Sequence, residues 1–177
     1  MTTIGVISDT HIKVGGKRQL PPQVFEAFQG VDLILHAGDL NILEVISDLE
    51  AIAPVVAVYG NNCDWAVLQK LPPTRELQIE QVKIGLAHGD VGNPSQRLGS
   101  STRWLALSHF PDADCVVFGH SHRPLIDWIE LSDGNGSLRP VLLFNPGSAT
   151  KKRGAPQHSC GLLRIDGKHI EPQLITW

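Results

Sequence analysis

The sequence predicts an α/β fold arranged as a four-layer α/β/β/α sandwich, with two facing mixed sheets and helices on the outer side of each. Three observations predict it. Up to about Tyr59, short apolar runs rich in β-branched residues alternate with segments of helical spacing. That is the rhythm of parallel strands joined by right-handed crossovers. After Pro72-Pro73 the apolar runs follow one another through short turns, as antiparallel strands do. Five of the apolar runs also end in Asp, His or Asn beside or near a glycine.

In chain order, Thr3 to Ser8 is a buried strand ending in Asp9-Thr10-His11. The loop from Lys13 to Leu20 carries two glycines and three basic residues. Pro21-Pro22 opens a short helix with Val24, Phe25 and Phe28 on one side. Val31 to His36 is a second strand, ending in Ala37-Gly38-Asp39. Asn41 is in position to cap the next helix, with Glu44 completing a capping box. Ile42, Val45, Ile46, Leu49 and Ile52 keep helical spacing until Pro54 stops it. Val55 to Tyr59 is a third strand, ending in Gly60-Asn61-Asn62.

Glu76 to Ile79 and Val82 to Ala87 pair across a tight turn, and the second run ends in His88-Gly89-Asp90. Asn93-Pro94 starts a helix that reaches Ser108. Ala113 to Phe118 is a strand that delivers Gly119-His120-Ser121-His122. Pro124 to Leu131 and Leu138 to Phe144 flank a hairpin loop of turn residues. Asn145-Pro146-Gly147-Ser148 is a turn, and Lys151 to Gln157 is the loop expected to be most flexible. Cys160 to Ile165 and His169 to Ile175 close the chain as a hairpin around Asp166-Gly167.

A length of 177 residues suits one domain, residues 1–177. A net charge of −3 supplies no general basic field, which argues against nucleic acid and anionic membranes as partners. No apolar run approaches the roughly 18 residues of a membrane helix, and the N-terminus has no signal-peptide pattern. The three cysteines are widely spaced, without a CxxC pair, as expected of a cytoplasmic protein.

The strand ends present Asp9, His11, Asp39, Asn61, His88, His120 and His122. His120 and His122, at i and i+2, share one side only if the backbone is extended. The set contains oxygen and nitrogen donors and no sulfur, which suits hard or borderline divalent ions. It is too large for one tetrahedral ion and right for two ions sharing a carboxylate. Gly38, Gly60, Gly89 and Gly119 let the backbone turn and approach closely beside these residues. Sites in open α/β sheets gather beyond the carboxyl ends of strands, where all of them fall.

The series Asp9-x-His11, Gly38-Asp39, Gly60-Asn61, His88-Gly89 and Gly119-His120-x-His122 resembles the motifs of the calcineurin-like metallophosphoesterase superfamily. The short length and the Asn145-Pro146-Gly147-Ser148 run resemble its small phosphodiesterase branch. The resemblance implies one metal on Asp9, His11, Asp39 and His122. It implies a second on Asp39, Asn61, His88 and His120, with Asp39 bridging. Many members follow the Asn ligand with a histidine; here that place holds Asn62, which cannot act as a general acid at neutral pH.

The expected activity is therefore hydrolysis of small phosphodiesters by a metal-bridging hydroxide. Asp39 and Asn62 are assigned to catalysis, and Asn62 also to the substrate phosphate, with a loop-stabilising amide as its alternative. Manganese is the expected ion, with iron, zinc, nickel or magnesium as substitutes. A small phosphoester is the expected partner, and the sequence is compatible with a homo-oligomer. The competing readings are a non-catalytic protein-interaction scaffold on the same fold and a metal-dependent nuclease. His36 is read as a packed strand residue, and Arg97 and Arg103 as solvated helix charges.

Overall fold

The structure, a computed structural model, describes residues 1–90, 102–132 and 136–177. One sheet holds β1 (Thr2–Ile7), β2 (Leu33–His36), β3 (Val55–Ala57), β9 (Ser159–Asp166) and β10 (His169–Thr176), in the order β10-β9-β1-β2-β3. The other holds β4 (Thr74–Ile79), β5 (Val82–Ala87), β6 (Cys115–Val117), β7 (Leu125–Ser132) and β8 (Leu138–Asn145), in the order β4-β5-β6-β8-β7. Four short helices complete the described chain: α1 (Pro22–Ala27), α2 (Glu44–Glu50), α3 (Trp65–Lys70) and α4 (Thr102–Ser108).

Alternating side chains on these strands build three apolar layers. Ile4, Val6, Leu35, Ile84, Leu86, Val117, Leu142 and Leu163 fill the space between the sheets. Ile7, Ile34 and Leu162 point outward from the first sheet and meet Val24 and Phe28 at α1, Val45 and Leu49 of α2 and Val67 of α3. Val116, Val141 and Leu143 do the same from the second sheet, against Ala106, Leu107 and Phe110. The result is the α/β/β/α sandwich with two mixed sheets. Phe28 is fully buried because Gly5 leaves room for its ring; a Cβ at Gly5 would stand 2.9 Å from it.

Several local expectations are corrected. Phe25 is 38% exposed, because on so short a helix only Val24 and Phe28, four residues apart, share the inward face. α2 begins at Glu44 with Leu43 at its N-cap and no side-chain cap bond. Asn41 is not the cap: its φ of 73° lies in the left-handed region, whereas an N-cap needs an extended backbone. α3 was not expected; it fills the gap between Asn62 and Pro72 and buries Val67. The helix start at Asn93-Pro94 and Arg97 lie outside the described residues.

The second half is less antiparallel than its short turns suggest. β5, β6 and β8 run parallel to one another, while β4 and β7 pair antiparallel at the edges. The last hairpin leaves that sheet and joins β1 through β9. Six parallel strands therefore point their carboxyl ends toward one rim: β1, β2 and β3 in one sheet, and β5, β6 and β8 in the other.

Candidate metal centre

Five of those six strands deliver the predicted ligands. β1 runs into Asp9 and His11, β2 into Asp39, β3 into Asn61, β5 into His88, and β6 into His120 and His122. The loops are laced together by main-chain bonds. Asp9 N donates to Gly38 O (3.0 Å), His11 N to Asp39 O (2.9 Å) and Gly119 N to His88 O (3.1 Å).

The structure brings most of the candidates together. Asp9, His11 and His122 place one donor atom each within 4.8 Å of one another, as do Asp9, Asp39 and His88. Asp39 Oδ2 stands between two imidazoles, 3.5 Å from His11 Nε2 and 3.3 Å from His88 Nε2. Asp9 Oδ1 lies 3.2 Å from His122 Nε2. His120 is half-buried with its ring edge-on to His88 at 5.2 Å. Asn61 lies on the exposed rim, directly after Gly60, whose backbone is pressed against Asp39 and His88. Asn62 is also exposed. Its main-chain N donates to Asp39 Oδ1 (2.8 Å) and its amide to Asp39 Oδ2 (2.7 Å).

Asp9, His88 and His122 are held from behind. Asp9 Oδ2 accepts from the Ser8 hydroxyl (2.8 Å) and from His120 N (2.9 Å), which leaves Oδ1 facing the cluster. His88 Nδ1 donates to Ala37 O (2.8 Å), and His122 Nδ1 donates to Lys151 O, so both turn Nε2 inward. Asp9 Oδ1 and His88 Nε2 are buried without a hydrogen-bond partner. Buried polar atoms are almost always satisfied. A carboxylate oxygen and an imidazole nitrogen left facing one another fit divalent cations, so the residues present suit the ions implied by the sequence.

The backbone is strained where the candidate ligands sit. Asp9 (φ 55°), His11 (46°), Asp39 (54°), His120 (66°) and His122 (58°) all occupy the left-handed region. Non-glycine residues rarely adopt it, and such strain concentrates at functional sites. Gly119 is required for a different reason: a Cβ there would stand 1.9 Å from Ser8 Oγ and 2.7 Å from Asp9 Oδ2.

The electrostatics match a site short of positive charge. Burial pushes Asp9 up to about 6, against the pull of His88 and the Ser8 hydroxyl. Burial also acts on Asp39, but His88 and the Asn62 donors outweigh it and hold that carboxyl below the usual range. Burial opposes protonation of His88, yet Asp39 and Asp9 lift it to about 9. Burial takes His11 and His122 down to about 4.

The sixth parallel strand supplies residues whose role was not read from the sequence. Asn145, at the end of β8, donates through Nδ2 to Gly119 O (2.9 Å) and Ser121 Oγ (3.2 Å). Ser148 donates to Asp9 O (2.8 Å) and accepts from Lys151 N (2.9 Å). Thr150 donates to Thr10 O. The signal available was a polar run placed straight after an apolar strand. His36 is fully buried with Nε2 3.2 Å from Thr10 Oγ1, a packed strand residue behind the site. Arg103 is not simply solvated: it pairs with Asp127 at 2.6 Å.

A layered sandwich whose parallel strands converge on an Asp and His cluster defines a metal-binding phosphoesterase architecture. The chain belongs to the calcineurin-like phosphoesterase superfamily: the family model of the calcineurin-like phosphoesterase superfamily domain matches residues 2–168. A probable metallophosphoesterase of Methanothermobacter thermautotrophicus is 40% identical over 174 residues, covering 97% of this chain and 91% of the relative. Among solved structures, zinc-bound wild-type Vps29 of Entamoeba histolytica superposes with a TM-score of 0.71 at 22% identity, covering 99% of each chain. An archaeal phosphodiesterase superposes with a TM-score of 0.67 at 22% identity, covering 98% of this chain and 100% of that one. These two likenesses show the fold. The chain is thus a metallophosphoesterase by family. Among the described residues no helix is long and apolar enough to cross a membrane.

Proposed function

We propose that the chain hydrolyses small phosphodiesters with two divalent ions. Asp9, His11, Asp39 and His122 would hold one, and Asp39, Asn61, His88 and His120 the other. The observation that carries this reading is the position of Asp39 Oδ2 between His11 and His88, beside the unpartnered Asp9 Oδ1 and His88 Nε2. When bound, the ions supply Lewis acidity and a water of lowered pKa.

The chain's own residues orient and hold. Asp9 and Asp39 offset part of the ionic charge, and the surplus suits a phosphate anion. Asn62 fixes both oxygens of Asp39, and at the rim it is near enough to take a role at the substrate phosphate. Hydrolysis adds water across the P–O bond, and the leaving oxygen must gain a proton. Neither Asn61 nor Asn62 can give one at neutral pH. Solvent supplies it, so leaving groups that depart readily as anions are favoured, aryl diesters above alkyl monoesters. Manganese is the ion we assign, since the nitrogen and oxygen donors suit it. A cytoplasmic setting is supported by the free thiols Cys63, Cys115 and Cys160.

The test is hydrolysis of bis(4-nitrophenyl) phosphate by chelator-stripped protein titrated with Mn²⁺, with Asp39→Asn beside it. Activity restored by metal and reduced at least about 100-fold in the variant supports the reading. A folded protein inactive with every divalent ion tried would overturn it and favour a partner-binding role.

A further inference from the structure

Two loops place positive charge beside the metal centre, and neither contains an acid. No Asp or Glu lies between Asp9 and Glu26, or between Asp133 and Asp166. In the first loop Lys13, Lys17 and Arg18 line one cleft with His11 and Gly16, of about 410 Å³. Lys13 and Lys17 are exposed, and Arg18 is tied to the ligand loop by a bond from Nη1 to His11 O (2.9 Å). In the second loop Lys151 O holds His122, and the exposed Arg153 follows with φ at 48°. Lys152 faces away from this role, because its Nζ donates to Pro156 O within its own loop.

None of Lys13, Lys17, Arg18, Lys151 and Arg153 pairs with a carboxylate among the described residues. Solvated lysines are common on any surface. Here the cations come from two separate loops and converge on the His11 and His122 side. The charges of Lys151 and Arg153 act on both of those imidazoles.

Two ions are enough to neutralise one scissile phosphate. The cations beside His11 are surplus to that need and are spread over a cleft. We propose that the substrate carries a second phosphate group, seated among Lys13, Lys17 and Arg18, which orients the scissile ester on the metal centre. Charge-assisted bonds from lysine and arginine are the ordinary means of holding such a group. This inference rests on the phosphodiesterase reading above.

A matched pair of chromogenic esters tests it: thymidine 5′-(4-nitrophenyl phosphate) and the same compound with a 3′-phosphate. The metal-loaded protein should turn over the 3′-phosphorylated ester with kcat/KM at least about tenfold higher in low salt, and the ratio should shrink as ionic strength rises. In Lys13→Ala/Lys17→Ala the ratio should fall toward one. Lys168→Ala, at the far hairpin, should leave it unchanged. Equal kcat/KM for the two esters, or a preference that survives the double substitution, overturns the proposal. If neither ester is hydrolysed with any divalent ion, the phosphodiesterase reading fails. Calorimetric titration of thymidine 3′,5′-bisphosphate then decides the cleft. Binding that the double substitution removes supports it, and no binding overturns it.

Discussion

Asn62 grips Asp39 by both oxygens, with its main-chain N on Oδ1 and its side-chain amide on Oδ2. A carboxylate held this way keeps one orientation and stays ionised. Removing the amide in Asn62→Ala should weaken metal binding about 10- to 100-fold, the usual cost of losing a group that orients a ligand. Isothermal titration with Mn²⁺ would show it. An affinity equal to that of the unaltered protein would mean that the contact does not organise the site.

Ser148 joins two ligand loops, donating to Asp9 O and accepting from Lys151 N. It is 1% exposed, so Ser148→Ala leaves buried groups unsatisfied and should destabilise the fold by about 1–3 kcal/mol. Because Lys151 O also holds His122, metal affinity should fall with it. Denaturant midpoints with and without Mn²⁺ separate the two effects. A loss of stability alone would confine Ser148 to a packing role.

Gly119→Ala should be more severe than its size suggests. The new methyl would meet Ser8 Oγ, a short side chain already bonded to Asp9 and close to Ala37 O. A cost of at least about 1–3 kcal/mol is expected, together with displacement of Asp9. Thermal melts of Gly119→Ala and Ser8→Gly/Gly119→Ala form the check, because the second variant removes the nearest clash and leaves the close approach to Asp9 Oδ2 at 2.7 Å. Failure of the double variant to recover any of the loss would place the strain elsewhere.

The metal-free protein should be most stable near pH 6.5 and should lose stability on either side of it. His11 and His122 titrate near 4 and His36 near 3, all lowered by burial. Their unfolded forms take protons near 6.5, so stability falls as pH drops from 6.5 toward 4, by about 1.4 kcal/mol per pH unit for each group. Asp9, raised to about 6, opposes part of that loss, but it is one group against three. His88 sets the other limb: its contribution is complete below 6.5 and is lost as pH rises through about 9. An ion must displace that proton, so the gain in Tm from a fixed Mn²⁺ concentration should grow from pH 6.5 to 9. Melts of chelated and Mn²⁺-loaded protein across this range would reveal a gain that is flat or reversed.

Much of this was legible in the chain. Each parallel strand announced itself as a short apolar run, and each candidate ligand followed such a run within a few residues. What stayed hidden depends on partners distant in sequence. Nothing local marks β9 as the neighbour of β1, because pairing between Val6 and Gly161 leaves no periodic trace. The parallel course of β5, β6 and β8 was masked by the short turns of the edge hairpins. Asn145 and Ser148 act on main-chain atoms of other loops, and a carbonyl acceptor has no signature in sequence. The left-handed backbone at Asp9 or His122 was hidden for the same reason: glycines advertise such angles, and Asp and His do not.

Glu80 sits at the turn between β4 and β5, at the opposite end from the candidate metal centre. Its carboxylate takes bonds from Gly167 N (2.5 Å) and Thr2 Oγ1 (2.9 Å), and pairs with the N-terminal ammonium at 3.1 Å. Gln81 N returns a bond to Gly167 O (3.1 Å). The two sheets are thus latched at both extremities, by a salt-sensitive clasp at one and by the ligand loops at the other. The clasp at Glu80 involves none of the candidate ligands, so chelation should leave that end of the sandwich joined while high salt should loosen it.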